Sequence, residues 1–169
     1  MNTSQISSAL GLGGNIGDPK ASMSSALRLL DQMEHARVRA VSRLYRTPPW
    51  GKTDQDWFFN SCALIETDLQ PHELLDKCLS VERQLKRERR ERWGPRIIDI
   101  DVLTYSDLSV HEEGLTIPHP HMHERAFVLL PLLDIAPDLN VAGKSVSEWA
   151  RQADDAGIEV VSEDGGWWR

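Results

Sequence analysis

Asp99 and Asp101 stand two residues apart in Ile97-Ile-Asp-Ile-Asp-Val-Leu103, a run of strongly β-type residues. In a strand, side chains alternate between faces and same-face neighbours lie roughly 6.6 Å apart. The two carboxylates therefore share one face, and Ile98, Ile100 and Val102 line the other. Aspartate is a poor strand former and like charges on one face repel, so something positive should sit near the pair. Two hard divalent cations, each held by carboxylate oxygens and substrate phosphates, would meet that need. Exposure to water or ion pairs with nearby arginines would meet it too.

The segment immediately upstream bears on that choice. From Arg83 to Arg96 there are seven positive side chains and two negative ones, a local charge of +5 in a chain whose total is −7. The remaining residues carry −12. Most charge runs are solvated helix ends or surface loops. Here Arg92-Trp-Gly-Pro-Arg96 brings guanidinium groups up to the strand that carries the aspartates. Arginine favours bidentate phosphate recognition, and Mg²⁺ is typically held by one or two carboxylates plus nucleotide phosphates. Together they point to a Mg-nucleotide site. Trp93, Gly94 and Pro95 predict a turn or a loop able to close over a substrate.

Three other groupings have chemical potential. Gly11-Leu-Gly13-Gly14-Asn15-Ile16-Gly17 has Ile16 where a dinucleotide fingerprint needs glycine, and no P-loop pattern exists in the chain, so a strand-to-helix turn needing positive φ is the simpler reading. His119, His121 and His123 alternate and raise a zinc site, but the two prolines of the run, Pro118 and Pro120, and the lack of a nearby cysteine favour one histidine on a phosphate. Trp50, Trp57, Phe58, Phe59 and Phe127 are candidate walls of a pocket for a flat ligand, with Thr47 and Asn60 as its polar groups. Such aromatics are more often core, yet Asn60 in an apolar strand needs its amide satisfied, which a heterocycle edge can do.

The elements that must position these residues follow from pattern. A strand from Ile6 to Gly13 leads to Asp18-Pro19, an N-cap and first-turn proline opening a helix to Glu34. Alternation predicts one strand over Arg37–Arg46, stopped by Pro48 and Pro49. A further strand spans Trp57–Glu66, and a helix from Gln70-Pro71 uses Leu74, Leu75, Cys78, Leu79, Val81 and Leu85 as its apolar face. Ile97–Tyr105 is the next strand. The order β, α, β, β, α, β describes an α+β, ferredoxin-like core, an antiparallel sheet with helices on one face. Beyond it come a short strand near Leu115–Ile117, a helix over Glu124–Ile135 interrupted or kinked at Pro131, a helix near Val146–Ala153, a last strand at Ile158–Ser162, and a loose Gly165-Gly-Trp-Trp-Arg169 tail.

Composition sets the outer bounds. The chain has 169 residues, 40% hydrophobic and 27% charged, which predicts one domain, residues 1–169, with a packed core. No apolar run is long enough to span a bilayer, and Met1–Ser8 lacks signal-peptide character, so a cytoplasmic protein is expected. Cys62 and Cys78 are expected to be reduced, part-buried thiols. The acidic total argues against general nucleic-acid binding. A non-catalytic nucleotide or nucleic-acid binding module on the same core, and a divalent-metal hydrolase using the histidines, stand as alternatives.

Tyr45-Arg-Thr-Pro-Pro-Trp50, Phe58-Phe-Asn60, Arg87-Glu-Arg-Arg-Glu-Arg-Trp-Gly-Pro-Arg-Ile-Ile-Asp-Ile-Asp101, Leu115-Thr-Ile-Pro-His119 and Arg125-Ala-Phe127 resemble the 6-hydroxymethyl-7,8-dihydropterin pyrophosphokinase family of folate biosynthesis. The likeness covers residues 5 to 140. It implies pyrophosphoryl transfer from ATP to the pterin hydroxymethyl, giving AMP and the pterin diphosphate, with two Mg²⁺ ions held by Asp99 and Asp101. It also implies that Arg87 and Arg96 act on the phosphates, and that Arg89, Arg92, Trp93, His119 and Arg125 serve ATP. Phe58 and Phe127 would sandwich the pterin, Thr47, Pro48, Trp50 and Asn60 would read its edge, and Glu82 would lie near the nucleotide. The partners implied are these small molecules alone, with no nucleic acid or membrane, and the protein is expected to be a monomer. Lys86, Trp50, Gly14 and Pro120 depart from the family pattern; none is a metal ligand or a stacking ring.

Overall fold

A computed structural model describes residues 5–48, 56–89 and 97–169, the side chains of 87–89 excepted. The elements in order are β1 (Ile6–Gly14), α1 (Pro19–Gln32), β2 (Ala36–Val41), β3 (Tyr45–Thr47), β4 (Phe58–Thr67), α2 (Pro71–Arg89), β5 (Asp99–Tyr105), β6 (Val110–Glu112) and β7 (Leu115–Ile117). A 3-10 turn (Met122–Glu124), α3 (Ala126–Ile135), β8 (Asn140–Val141), β9 (Lys144–Ser145), α4 (Val146–Gln152) and β10 (Glu159–Val160) complete it. The main sheet runs β10-β3-β4-β1-β5, with β2 also paired to β4. All its pairings are antiparallel. Taking β2 and β3 as one interrupted strand, this is the ferredoxin-like order.

Helix α1 begins where its cap requires: the Asp18 carboxylate accepts from the Ala21 amide at 3.1 Å and Pro19 occupies the first turn. Met23, Ala26, Leu27 and Leu30 are fully buried against Leu10, Leu12, Ala63 and Ile65 of the sheet and against α2. Leu79, expected on the apolar face of α2, is instead exposed, because the helix buries only the narrower stripe of Leu74, Cys78, Val81 and Leu85.

The single strand expected over Arg37–Arg46 is two. Val41 pairs with Ala63 and Tyr45 with Asn60, so this edge carries one residue more than β4 does between the same points. The surplus is stabilised locally. Ser42 donates its N–H to the Cys62 carbonyl and accepts the Cys62 N–H on its hydroxyl, both at 2.9 Å. Arg43 turns out to form a two-point contact with Asp134 of α3, at 3.0 and 3.2 Å.

Helices cover both faces rather than one. α1 and α2 pack on the face of Leu10, Ile98, Ile100 and Val102. On the opposite face α3 and α4 bury Ala9, Cys62 and Leu103 with Val128, Leu129, Leu132 and Val146. α3 runs through Pro131 without a break. Both thiols are fully buried, not part-buried, and the low-polarity surroundings push Cys78 up to about 12. The C-terminal tail is not loose: Trp168 is 5% exposed inside the α1-side core and Trp167 donates its indole N–H to the Ser42 carbonyl at 2.9 Å.

Candidate active site

The cover on the second sheet face is partial, and the uncovered end is the floor of a cavity of about 1000 Å³. That volume is at the upper end for small-molecule sites and suits two ligands side by side. It is lined by Gly11, Gly13, Asn60, Asp99 and Asp101 of the sheet, by Phe58, Thr47, Phe127 and Val128, and by His119, His121, Glu124 and Arg125.

The alternation expected of β5 holds. Ile98, Ile100 and Val102 are buried under α2 while Asp99 is half-buried and Asp101 exposed, both in the cavity. A bulge then reverses the pattern: Leu10 pairs with Val102 but Ala9 with Thr104, so Leu103 stays on the cavity side and Tyr105 turns to the helices, where its hydroxyl donates to the Leu69 carbonyl. Opposite the aspartates β1 presents no side chain. Asp101 pairs with Gly11 and Asp99 with Gly13. A methyl group on Gly13 would stand 3.0 Å from the Asn60 amide nitrogen, so the glycine keeps both the space beside the carboxylates and the place of Asn60. These glycines were read as a turn; only Gly17 has positive φ, at 66°, while Gly11, Gly13 and Gly14 lie within β1. Their pairing with the aspartate strand is the part that motif reading missed.

The donor set fits a hard divalent cation. Among the described residues no group of three or more histidine, cysteine or acidic side chains is gathered as a metal cage. Two carboxylates beside an open cavity match the way Mg²⁺ is bound, with water and substrate phosphates completing the shell. Zinc chemistry from the histidines has no such basis: His119 and His121 line the cavity, but His123 packs on Trp149 with ring centroids 4.8 Å apart. His119 is docked by its own backbone, whose N–H donates to the Leu103 carbonyl at 2.9 Å. Burial pushes its imidazole below the ordinary value; Asp101 opposes that, and Arg125 and His121 add to it.

The aromatic expectations divide. Phe58, at the end of β4, and Phe127, at the start of α3, both line the cavity. Phe59 alternates to the other face and packs on the α1-side core. Trp57 lies under the Arg46 guanidinium, 4.7 Å from its ring centre, outside the cavity. Asn60 accepts from the buried Thr47 hydroxyl at 3.4 Å. Across the strand pair from Asn60, Tyr45 donates its hydroxyl to Asp134 at 2.7 Å, tying β3 to the helix that carries Phe127. Glu82 is buried on α2, which packs on the opposite face, and is not part of the cavity lining. Trp50, Arg92, Trp93 and Arg96, and the side chains of Arg87 and Arg89, lie outside the described residues. Glu124 lines the cavity without having been singled out as a ligand group, because an acidic side chain gives no sign of proximity to an anion; His121, weighed only for zinc, lines it too.

Residues 9–137 match the family described as 7,8-dihydro-6-hydroxymethylpterin-pyrophosphokinase. The chain is similar to the 2-amino-4-hydroxy-6-hydroxymethyldihydropteridine pyrophosphokinase of Methylorubrum extorquens, 53% identical over 152 residues, which is 90% of this chain and 96% of that protein. The protein of the same name from Pseudomonas aeruginosa is 39% identical over 149 residues, covering 88% and 92%. Among solved structures, the wild-type HPPK-DHPS of Plasmodium falciparum with STZ-DHP has a TM-score of 0.72 at 17% identity, over 88% of this chain and 43% of that one. The A437G variant with SDX-DHP gives 0.73 at 17%, over 89% and 46%. These two show the fold, and this chain spans less than half of their length.

Proposed function

The chain belongs to the 7,8-dihydro-6-hydroxymethylpterin-pyrophosphokinase family, and from that premise we propose how its cavity serves the reaction. The protein transfers the pyrophosphoryl group of ATP to the hydroxymethyl group of 6-hydroxymethyl-7,8-dihydropterin, giving AMP and the pterin diphosphate in folate biosynthesis. The observation that carries the assignment of the site is the joining, in one cavity, of the Asp99 and Asp101 carboxylates with the Phe58, Asn60 and Phe127 group. The reading of a non-catalytic binding module gives way, because the family is enzymatic.

Pterin lies between Phe58 and Phe127, with its donor and acceptor edge on Asn60, Thr47 and the backbone at Pro48; Trp50 belongs to the same group by resemblance. ATP lies towards His119 and Arg125, with Arg89, Arg92 and Trp93 assigned to it by resemblance. Asp99 and Asp101 would hold two Mg²⁺ ions, which supply charge neutralisation at the phosphates and lower the cost of deprotonating the hydroxyl. The hydroxymethyl oxygen bonds to the β-phosphorus, the bridge to the α-phosphate breaks, AMP leaves and the hydroxyl proton passes to water. Positioning and charge account for the rate, since phosphoryl transfer leaves the protein little covalent work. Arg87 and Arg96 add positive charge at the migrating group. We read residues 1–169 as one domain of a cytoplasmic monomer with no nucleic-acid or membrane partner; the packing of Trp168 into the same core as α1 supports the single domain. No helix among the described residues is long and apolar enough to cross a membrane.

The test is a nucleotide assay. AMP is expected to accumulate from MgATP only when 6-hydroxymethyl-7,8-dihydropterin is present, and to stop on adding EDTA. ADP as the product, or AMP release independent of the pterin, would overturn the reading.

A further inference from the structure

We infer that the C-terminal segment, residues 157–168, is a positioning strap that holds Thr47 and Pro48 in place and so sets the affinity for the pterin. This rests on the assignment of Thr47 and Pro48 to the pterin edge. The strap lies beyond the residues matched by the family model, 9–137.

β3 has only three residues, preceded by the Ser42–Leu44 excursion from the sheet and followed by Pro48, which has no N–H to donate. A strand this short with one neighbour holds its ends poorly. The C-terminal segment supplies the other neighbour. Glu159 and Val160 pair with Arg46 and Tyr45, the Val161 N–H donates to the Leu44 carbonyl at 2.7 Å, and the Leu44 N–H donates to the Ser162 hydroxyl at 2.8 Å. Arg46 donates to the Glu159 carboxylate at 2.9 Å.

Both ends of the strap are fixed. At one end Gly157, at φ +85°, lies so close under Pro48 that a methyl group there would stand 3.0 Å from the proline Cγ. At the other, Trp168 is buried beside α1 and Gly165 lies against the Val41 carbonyl, where no Cβ would fit. The consequence reaches the cavity through one bond, since Thr47 donates to Asn60 and both face the ligand space. Among the described residues, none of 157–168 lines the cavity that holds Asp99 and Asp101. Loosening of the strap should therefore act on pterin binding and leave ATP binding and the chemical step alone.

Truncation would remove Trp168 from the core and confound folding with function, so two point variants carry the test. Glu159→Ala combined with Ser162→Ala removes the side-chain bonds to Arg46 and to the Leu44 N–H and leaves the backbone pairing, and Gly157→Ala presses on Pro48. In each, KM for the pterin is expected to rise about three- to tenfold, the loss of roughly one hydrogen bond's worth of positioning. KM for ATP and kcat should stay within about twofold of the parent. An unchanged pterin KM in both variants, whether or not the melting temperature falls, would overturn the strap, as would a fall in kcat with pterin KM unaltered. Absence of pterin-dependent AMP formation in the parent protein would instead remove the reading on which the strap rests.

Discussion

Asp101→Ala is expected to lower kcat by about 10³-fold, and Asp99→Ala by a similar factor, because each removes an oxygen ligand where positive charge must meet the migrating phosphates. The strand geometry separates this from a folding defect. Asp101 is exposed and belongs to neither core cluster, so its truncation leaves no cavity in the packed interior. The melting temperature of the Asp101 variant should therefore match the parent while turnover is lost. Asp101→Asn, which keeps the shape and removes the charge, should behave like the alanine variant. If either alanine variant kept full turnover, the assignment of the metal ligands would fall.

Phe127→Ala is expected to raise KM for the pterin about 10- to 100-fold, on the scale of about 1–3 kcal/mol that aromatic stacking contributes to binding a flat heterocycle. The ring is half-buried at the start of α3, where it packs against the edge of the core that Val128 and Leu129 enter, and its neighbour Arg125 has its guanidinium 5.7 Å from the ring centre. Removing the ring opens the cavity and takes some contact from the edge of that core, while Val128 and Leu129 stay buried in it. Phe58→Ala should produce a similar loss from the other side, and KM for ATP should change little in either. Titration of pterin binding by isothermal calorimetry checks both; unaltered affinity in the two variants would mean that the rings are walls of the core and not of the ligand site.

What could be read from residues alone follows a physical division. The two aspartates on one face of β5 were legible because alternation is a local property of a strand, and the start of α1 because a cap is written within three residues. The break between β2 and β3 was not, since it depends on Asp134 reaching back to Arg43 from 91 residues away. The tail was misread for a related reason: Gly-Gly-Trp-Trp-Arg looks like a frayed terminus until α1 and β2 provide a slot for Trp168. The glycines of β1 look like a turn in sequence, because their place opposite Asp99 and Asp101 depends on register against β5, and register is not visible in one segment. Of the basic run Arg83–Arg96, the side chains of 87–96 lie outside the described residues.

The central claim is that the hydroxymethyl oxygen takes the β-phosphorus of ATP, with the γ-phosphate still attached, in this cavity. ATP labelled at the β-phosphorus, incubated with the protein, Mg²⁺ and 6-hydroxymethyl-7,8-dihydropterin, tests it directly. All of the label is expected in the pterin diphosphate, in amounts equal to the AMP formed. Label remaining in ADP, with a pterin monophosphate as the other product, would contradict it.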